Sequence, residues 1–418
     1  MSQSSQVEVV IVGAGAAGLA AAKTLRRHNV SFVVLEARDR IGGRTVTDTS
    51  LGAAFDGGAT FIHFADRNPW SKFAEEYGVE ARVGSWRSGG SRSFSDGVPV
   101  PAEAAAARWQ GRGKLWELVN EIDDSNDVSF AALVKTAPDD VAFAAKSMMR
   151  GAVGEEPERV SVSDYGRLYD GSNMIVPGGY GTLVERYGAD VPVSLGTPVK
   201  AMDWSGRGVR VTTASGTIQA AKAIVTVPLG VLAAESIKFT PRLPDETLRA
   251  IAGMKMGALS KLALRFEGDR FGAPADMHFV ETGDSAPQMS FELWPFDRDI
   301  VVCWFGADYA RQINASGEAS AVQHMLDRFV KIVGADARKA FRGGRHFGWS
   351  ADPYALGGYS YCVPGRARAR DELRRPVGER IWFAGEHVAG KASMTVGGAT
   401  LSAESAAEAV YARLKAMR

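Results

Sequence analysis

The chain has 418 residues, of which 45% are hydrophobic and 23% are charged, a composition typical of a globular protein long enough for two domains. Its 49 basic and 48 acidic residues give a formal net charge of +1, so the charge balance gives no reason to expect nucleic acid as a partner. Two cysteines, Cys303 and Cys362, are too few for a disulfide framework or a metal site.

The start of the chain, M-S-Q-S-S-Q, lacks a basic region followed by an apolar core. No apolar run of about 20 residues, the length that spans a bilayer, occurs anywhere in the sequence. We therefore expect a cytoplasmic protein with no membrane partner.

The first motif predicts a strand, a tight turn and a helix. An apolar run at residues 7–12 leads into a glycine-rich turn that contains Gly13, Gly15, Ala17 and Gly18. Gly13 permits the turn, Gly15 lets the backbone approach a pyrophosphate, and Gly18 lets the helix pack closely on the strand. The N–H groups at the start of the helix face the phosphates. The motif therefore predicts a dinucleotide ligand.

A second predicted strand, residues 32–35, delivers Glu36 eighteen residues after Gly18. At this spacing a carboxylate accepts hydrogen bonds from a ribose and repels a 2′-phosphate. A G-x-G-x-x-G pattern alone is weak evidence in a chain with 47 glycines. The two strands and Glu36 together favour the dinucleotide site.

The segment after the second strand separates the possible cofactors. Three arginines flank a glycine doublet there: Arg38, Arg40, Gly42, Gly43 and Arg44. This places more cations and bare backbone beside a pyrophosphate than a dissociable nicotinamide cofactor usually needs. The motif L-E-A-R-D-R-I-G-G-R-T resembles that of the flavin-dependent amine oxidases, which comprise monoamine oxidases, polyamine oxidases and lysine-specific histone demethylases.

The resemblance implies FAD as the cofactor, and a small-molecule amine and O2 as substrates. It places Glu36 on the adenosine ribose. The other predicted contacts in this segment, including those near the diphosphate, come from Ala37, Arg38, Gly42, Gly43 and Arg44.

F-D-G-G-A-T-F-I-H, residues 55–63, predicts a turn into a short buried strand. The resemblance places this segment along the flavin, so Gly58, Ala59 and Thr60 are predicted to contact the cofactor. Two interpretations of His63 stay open: a structural histidine with a hydrogen-bond partner, or a side chain in the substrate pocket.

Residues 82–170 predict a helical insertion, because Ala, Trp, Glu and Lys recur there with helical periodicity. Trp109, Leu115, Trp116 and Val119 could form one apolar face. Such faces usually belong to a core, so these residues are predicted to pack and not to contact substrate.

The nucleotide-binding pattern returns near residue 173, with a helix followed by hairpin strands. The resemblance places the backbone of Val199 against the adenine. It also places the strand A-I-V-T-V-P, which ends at Pro228, beneath the cofactor.

Residues 254–266 resume strand alternation, with Lys261, Ala263 and Arg265 on one face. By this pattern alone, Lys261 is a surface lysine at a sheet edge. The resemblance instead matches Lys261 to the lysine that faces flavin N5 through a water, and so predicts a catalytic role. Lys255 is the rival and matches the family motif less well.

The segment W-S-A-D-P-Y-A-L-G-G-Y-S-Y, residues 349–361, resembles the demethylase and polyamine oxidase version of the site. Trp349 is predicted to contact the cofactor. Monoamine oxidases have a flavin-linked cysteine at the position of Gly358, so FAD is predicted to bind without a covalent bond. Tyr359 is predicted to form one aromatic wall beside the substrate amine.

A last strand ends at Gly385 and Glu386, and a long helix begins near Thr395 and Val396. The resemblance places all four at the cofactor, with the helix dipole, about half a positive charge, at the flavin pyrimidine edge. Monoamine oxidases have a second tyrosine at the position of Thr395. The amine slot should therefore be wider and more polar, and suit an extended or secondary amine such as a polyamine or an alkaloid-like chain.

The clearest basic patch, R-A-R-A-R-D-E-L-R-R at residues 366–375, is predicted to be a solvated loop or helix rather than a binding site.

Together these features predict an α/β fold: a Rossmann-like FAD-binding domain with an inserted α+β substrate domain. The first is assembled from residues 1–80, 171–236 and 345–418, and the second from residues 81–170 and 237–344. The expected reaction oxidises an amine C–N bond to an imine that water hydrolyses, with O2 reduced to H2O2. The chain could assemble as a homodimer.

The sequence leaves three alternatives open. A carotenoid desaturase or protoporphyrinogen oxidase on the same fold is disfavoured by Lys261 and the W-x-x-D-P segment. An L-amino-acid oxidase would need a pocket arginine for the carboxylate, and the sequence offers too many arginines to choose one. A protein-binding role like that of the demethylases would need a coiled-coil insertion with sustained heptads, which we do not find.

Overall fold

The computed structural model describes residues 6–84, 89–268, 270–281 and 289–417. In chain order, the strands in these ranges are β1 (Gln6–Val12), β2 (Phe32–Leu35), β3 (Thr47–Asp48), β4 (Phe55–Asp56), β5 (Phe61–Ile62), β6 (Arg82–Val83), β7 (Ser91–Ser95), β8 (Val98–Pro99), β9 (Met174–Ile175), β10 (Val193–Ser194), β11 (Val199–Asp203), β12 (Val209–Thr213), β13 (Gly216–Val225), β14 (Lys238–Thr240), β15 (Met254–Gly257), β16 (Leu259–Phe266), β17 (Met277–Glu281), β18 (Met289–Leu293), β19 (Ile300–Gly306), β20 (Phe341–Phe347), β21 (Tyr359–Cys362) and β22 (Ile381–Phe383).

The α-helices in the same ranges are α1 (Ala16–Arg27), α2 (Pro69–Glu76), α3 (Ala102–Trp109), α4 (Gly111–Asn120), α5 (Phe130–Leu133), α6 (Asp139–Met148), α7 (Val162–Gly166), α8 (Tyr180–Gly188), α9 (Leu229–Ala233), α10 (Asp245–Ala252), α11 (Ala307–Ala315), α12 (Glu318–Val333), α13 (Ala337–Ala340), α14 (Ala369–Leu373) and α15 (Val396–Met417). A π-helical turn, Met149–Val153, follows α6.

The first sheet carries the predicted dinucleotide-binding motif. Its strand order is β10-β2-β1-β13-β12-β11-β14, and β22 pairs with the C-terminal end of β13. The strands β10, β2, β1, β13 and β22 run parallel, whereas β12 is antiparallel to its neighbours. Parallel strands are usually covered on both faces, which explains why β1 is continuously apolar and buried from Val9 to Val12. The strands predicted at residues 7–12 and 32–35 are confirmed as β1 and β2.

The first helix and the last helix pack together on this sheet. Leu19 and Ala22 of α1 share one buried apolar cluster with Ala407 and Val410 of α15. The small side chains of α1 allow close packing. A Cβ on Gly18 would lie 1.8 Å from the carbonyl oxygen of Gly13, so the predicted packing role of Gly18 is confirmed.

The second sheet has the order β20-β16-β19-β18-β17-β7-β8. β16 lies between β19 and β20 and is therefore not an edge strand. One face of this sheet packs against α12, since Leu262 of β16, Phe291 of β18 and Phe329 of α12 belong to one buried cluster. The prediction from alternation alone, that Lys261 is a surface lysine at a sheet edge, is therefore wrong.

The insertion at residues 82–170 begins with strands, which corrects the prediction that it is helical. β7, with the sequence S-R-S-F-S, forms because it pairs with β17, a partner more than 180 residues away that its own composition does not indicate. The domain division stays a proposal. The pairing of β7 with β17 supports joining the two insertions in one domain. The pairing of β14 with β11 instead places the start of the second insertion in the first sheet.

The helices of the insertion form a small core of their own. Leu115 and Val119 of α4 are buried there, with Trp116 packed against them, so their predicted packing role is confirmed. Trp109 differs because it ends α3, a separate helix. Its ring lies edge-on to Phe143, with centroids 5.7 Å apart, and it lines the central cavity.

Within the described part of the chain, no helix has both the length and the apolar character needed to cross a bilayer. Cys303 and Cys362 are buried free thiols.

Candidate active site

The glycine turn between β1 and α1 forms one end of a large cavity. Gly13 has a φ of +103°, a conformation that favours glycine, and a Cβ there would lie 2.6 Å from the hydroxyl of Thr226. A Cβ on Gly15 would meet nothing closer than 3.9 Å. The backbone at Gly15 is therefore open to a ligand, and the N-terminus of α1 faces it.

Glu36 lies beside this turn with only 6% of its surface exposed. One of its carboxylate oxygens accepts a hydrogen bond from the N–H of Ala14 at 2.7 Å, and the other accepts one from the N–H of Arg38 at 2.9 Å. These bonds fix the carboxylate at the cavity wall. We propose that it accepts hydrogen bonds from the ribose there.

The two arginines predicted near the diphosphate both line the cavity. Arg38 makes a bidentate ion pair with Asp352, at 2.9 and 2.6 Å. Arg44 donates to the carbonyl of Gly358 at 2.7 Å and to Glu386 at 3.2 Å. Each arginine thus connects the segment that follows β2 to a segment in the C-terminal part of the chain.

The cavity has a volume of about 1890 Å³, which exceeds the roughly 300–1,000 Å³ of a typical small-molecule site. All but one of the residues predicted from the sequence line it: Gly13, Gly15, Ala17, Glu36, Ala37, Arg38, Gly42, Gly43, Arg44, Gly58, Ala59, Thr60, His63, Val199, Lys261, Trp349, Tyr359, Gly385, Glu386, Thr395 and Val396. The exception is Gly18, which packs the helix onto the strand.

The segment predicted to pass along the flavin is held by Trp349. The indole N–H of Trp349 donates to the carbonyl of Gly57 at 3.0 Å. A Cβ on Gly58 would lie 1.7 Å from the carbonyl oxygen of Arg44, so the backbone here has no room for a side chain. The close approach brings Ala59 and Thr60 to the cavity wall.

Lys261 is a buried cation in the cavity wall, with 4% of its surface exposed. Its Nζ donates to the hydroxyl of Thr60 and to the carbonyl of Asp56 at 3.1 Å. It also lies 3.9 Å from the centroid of the Trp304 ring, within the range of a cation–π contact. Lys255, the rival in the sequence, is exposed on β15.

Burial and two nearby carboxylates together determine the pKa of Lys261. Burial lowers the pKa of Lys261 to about 8, although the carboxylates of Asp56 and Glu292 oppose the shift. Burial also raises the pKa of Glu292 to about 7, although Lys261 opposes that shift. Glu292 accepts a hydrogen bond from the indole of Trp304 at 3.2 Å. The lysine therefore stays mostly protonated at neutral pH.

Tyr359 lines the cavity at the start of β21. Its hydroxyl donates to the carbonyl of Ala152 at 2.6 Å, and Ala152 lies in the π-helical turn, a feature that recurs at functional sites. Burial raises the pKa of Tyr359 above its usual range. The ring is therefore a neutral wall held in a fixed orientation.

Thr395 is the N-cap of α15, because its hydroxyl accepts a hydrogen bond from the N–H of Gly398 at 2.9 Å. The same hydroxyl donates to the carbonyl of Ala392 at 2.7 Å. Its one proton is thus committed to the backbone, and Thr395 offers the cavity a methyl group rather than a free donor. The predicted polar character of this side of the slot is corrected accordingly.

His63 has the hydrogen-bond partner that the structural interpretation predicts, and its role in the substrate pocket stays a prediction. Its Nδ1 lies 3.0 Å from the side-chain oxygen of Asn173, and the ring also lines the cavity. Burial lowers the pKa of His63, although the bond to Asn173 opposes the shift. His63 is therefore neutral at pH 7 and adds no charge to the pocket.

Several residues in or near the cavity could not be found from the sequence, among them Arg112, Glu292 and Trp304, and Trp109 was predicted only to pack. Trp304 is directly opposite Lys261 in the antiparallel pairing of β16 with β19. Alternation within β19 could have suggested that the Trp304 side chain points into the protein. It could not have indicated that β19 pairs with β16, the strand of Lys261.

The basic patch at residues 366–375 is only partly solvated. Arg368 is exposed, with 74% of its side-chain surface accessible, as predicted. Arg370 is buried, with 3% accessible, in an ion pair with Asp164. The prediction of a wholly solvated patch is therefore wrong at Arg370, because the buried carboxylate that pairs with it comes from α7, far away in the sequence.

These residues fit FAD. The open backbone at Gly15, the fixed carboxylate of Glu36 and the cavity volume suit a dinucleotide, and the glycine-lined segment at residues 57–58 leaves space for a flat ring. No group of three or more His, Cys, Asp or Glu in the described ranges is arranged to hold a metal ion.

The sequence profile of flavin containing amine oxidoreductases matches residues 16–411. Lysine-specific histone demethylase 2 of Homo sapiens is 27% identical over 438 residues, which cover 94% of this chain and 52% of that protein. Polyamine oxidase 3 of Oryza sativa subsp. japonica is 27% identical over 441 residues, which cover 96% of this chain and 88% of that protein. The chain thus spans about half the length of the demethylase.

Solved structures show the same architecture. A structure of putrescine oxidase bound to putrescine superposes with a TM-score of 0.81 at 21% identity, covering 98% of this chain and 100% of that one. Cyclohexylamine oxidase from Brevibacterium oxydans superposes with a TM-score of 0.81 at 22% identity, covering 98% and 99%. The fold is therefore a Rossmann-like FAD-binding fold of the mixed α/β class. Because the profile covers most of the sequence and the cavity carries the nucleotide-binding motif, the chain belongs to the flavin-containing amine oxidoreductase family, whose cofactor is FAD.

Proposed function

We propose that the chain oxidises the C–N bond of an amine to an imine, which water hydrolyses to a carbonyl compound and an amine or ammonia. The observation that carries the proposal is the buried cation of Lys261 in the cavity wall, next to the segment at residues 56–60. Family membership supports the general reaction, and the substrate and the electron acceptor are part of the proposal.

The electrons and protons of the proposed reaction balance with O2 as the acceptor. The amine loses two electrons and two protons when it becomes an imine, and O2 gains two of each when it becomes H2O2. FAD supplies the two-electron acceptor between them when it is bound.

The chain's own residues position the reactants and set the local charge. Tyr359 presents a fixed aromatic face to the amine, and Lys261 holds a positive charge and a donor proton elsewhere in the same cavity wall. Arg44 donates to the backbone carbonyl of Gly358, next to Tyr359, and pairs with Glu386. These roles follow from the contacts and are part of the proposal.

The decisive experiment is an amine panel with two readouts, flavin absorbance without oxygen and H2O2 with oxygen. The panel includes benzylamine, hexylamine, N-methylhexylamine, spermidine and L-leucine. Bleaching by amines followed by stoichiometric H2O2 supports an oxidase. Bleaching without H2O2 indicates a dehydrogenase, preferred turnover of L-leucine indicates an amino-acid oxidase, and no bleaching by any member contradicts the proposal.

FAD is expected to leave the protein on acid precipitation, because the position of the linking cysteine is Gly358. A Cβ on Gly358 would lie only 3.3 Å from the carbonyl oxygen of Leu259, so the chain is packed tightly around a bare backbone here. The measurement is flavin absorbance in the supernatant and in the pellet. Yellow colour retained in a washed pellet would show a covalent bond.

Turnover at low amine concentration is expected to rise with pH and then bend. An amine of pKa about 10 is roughly 99.7% protonated at pH 7.5, and only its neutral form carries the lone pair that assists oxidation. The value of kcat/KM should therefore rise about tenfold per pH unit below pH 8. Above that pH the rise should flatten, because Lys261, flanked by Asp56 and Glu292, loses its proton with a pKa of about 8.

The measurement is kcat/KM for hexylamine between about pH 6 and 10, with the Lys261→Met variant as the control that lacks the titrating lysine. The variant should show the rise without the bend. A flat wild-type profile between pH 6 and 8 would contradict the role of the neutral amine.

A Thr395→Tyr variant is expected to shift preference toward compact amines, because a second ring would narrow the slot opposite Tyr359. An aromatic contact with the amine is worth roughly 0.5–2 kcal/mol, or about 2- to 30-fold. The measurement is the ratio of kcat/KM for benzylamine to that for N-methylhexylamine. Loss of the N-cap should also cost about 1 kcal/mol of stability, and Thr395→Ser, which keeps the cap, is the control. An unchanged ratio in Thr395→Tyr would refute the slot argument.

A further inference from the structure

The substrate end of the cavity has an unusual balance of charge for a site that would bind a polyamine. Besides Tyr359 and Lys261, the cavity lining includes the apolar side chains of Phe61, Trp109 and Leu259. In the described ranges, the only acidic residues in the lining of the whole cavity are Glu36 and Glu386. A second ammonium group therefore meets no free carboxylate among them.

Both lining carboxylates already have partners. Glu36 accepts from two backbone N–H groups. Glu386 accepts from the N–H of Ser360 at 3.1 Å and from its hydroxyl at 2.7 Å, and it pairs with Arg44. Asp56 and Glu292 interact electrostatically with Lys261, and neither is part of the cavity lining. These four carboxylates are therefore committed to the protein's own donors and cations.

Arg112, a cation in the cavity lining, differs from these carboxylates in its contacts. It lies in α4 with an exposed side chain, and within the described part of the chain it makes no hydrogen bond or ion pair. It is close enough to Tyr165 to act on the pKa of that buried phenol, and Tyr165 in turn acts on Tyr359. The guanidinium thus lies within electrostatic range of Tyr165, which is itself within electrostatic range of Tyr359.

Resting on the proposed amine oxidation, we infer that Arg112 selects substrates by the charge at their far end. An amine whose far end carries an anionic group pairs with the guanidinium, an uncharged apolar end is accepted by the apolar lining, and a second ammonium is repelled. A free guanidinium recognises carboxylates through two parallel N–H donors. Arg92 on β7 also lines the cavity and acts in the same direction.

The test compares three amines with the same six-carbon chain: 6-aminohexanoate, hexylamine and hexane-1,6-diamine. At pH 8 we expect kcat/KM to fall in that order, with about threefold to fivefold between neighbours, the size expected for one partly screened charge pair at an exposed site. Raising the ionic strength should compress the differences.

Variants assign the effect to Arg112. Arg112→Gln should bring the three values within about threefold of one another, and Arg112→Lys should keep the order. Arg242→Gln is the matched control, since Arg242 is an exposed arginine with 74% of its side-chain surface accessible and does not line the cavity. The flavin spectrum of each variant reports whether its fold and cofactor are retained.

The outcomes separate this inference from the proposed function. If no amine bleaches the flavin, the proposed function itself fails. If all three are oxidised but the diamine has the highest kcat/KM, or if Arg112→Gln leaves the order unchanged, amine oxidation stands and the charge selection by Arg112 is overturned.

Discussion

Replacing Lys261 with methionine is expected to slow the flavin half-reactions by about 100-fold while FAD binding is retained. The ammonium of Lys261 is buried, and its donors point to Thr60 and Asp56. A buried cation favours the arrival of electrons nearby, both when the amine is oxidised and when O2 is reduced. An interaction of about 3 kcal/mol between charges in such a site corresponds to about 100-fold in rate. Stopped-flow absorbance measures the bleaching by amine and the recovery with O2 separately.

The matched control is Lys255→Met, which removes an exposed lysine from the neighbouring strand β15. It should leave both half-reactions unchanged within about twofold. Wild-type rates for Lys261→Met in both half-reactions would show that Lys261 only stabilises the wall. A loss confined to one half-reaction would identify the step at which the charge acts.

The nucleotide-binding end of the site could be predicted from the sequence because its signals are local. Gly13, Gly15 and Gly18 lie within six residues of one another, and each answers a separate steric demand of a turn between a strand and a helix. Glu36 follows the next strand of the same unit. Local geometry of this kind is fixed by residues that are close in the chain, so the spacing alone indicates the site.

The environment of Lys261 could not be predicted from residue alternation, because burial of a strand depends on which strands pair with it. β16 lies between β19 and β20, and neither partner is indicated by the residues around Lys261. Trp304 and Glu292 were missed for the same reason. Only the resemblance to a family placed Lys261 inside, since a family motif carries information about pairing that a pattern of apolar residues does not.

Arg38 shows how a correct location can hide a second role. The sequence predicted it near the diphosphate, and it does line the cavity. The structure adds a bidentate ion pair with Asp352, in the segment that carries Trp349 and Tyr359. The guanidinium also lies 5.9 Å from the ring centroid of Trp349. Arg38 thus helps to position the segment that forms the aromatic wall.

A second large effect is expected from Arg370→Met, which should lower the free energy of unfolding by about 3–5 kcal/mol. Arg370 and Asp164 are both buried, with 3% and 2% of their side-chain surfaces exposed. Arg370 donates to both carboxylate oxygens of Asp164, at 2.8 and 2.9 Å, and to the carbonyl and hydroxyl of Ser360. Removing the cation leaves the buried carboxylate of Asp164 without a charged partner, although it still accepts from the N–H of Cys362. Urea unfolding followed by circular dichroism measures the loss.

A double-mutant cycle separates the cost of an unpaired charge from the worth of the pair. Arg370→Met with Asp164→Leu removes both charges, and replacing a buried pair by apolar side chains is often close to neutral, so the double variant should recover most of the loss. Arg374→Met is the surface control, because Arg374 has 51% of its side-chain surface exposed in its pair with Asp371 and should cost less than about 1 kcal/mol. Since Ser360 adjoins Tyr359, Arg370→Met should also raise KM for the amine more than the surface control does. A loss below about 1 kcal/mol in Arg370→Met would mean that water reaches Asp164 and that the ion pair does not hold the aromatic wall in place.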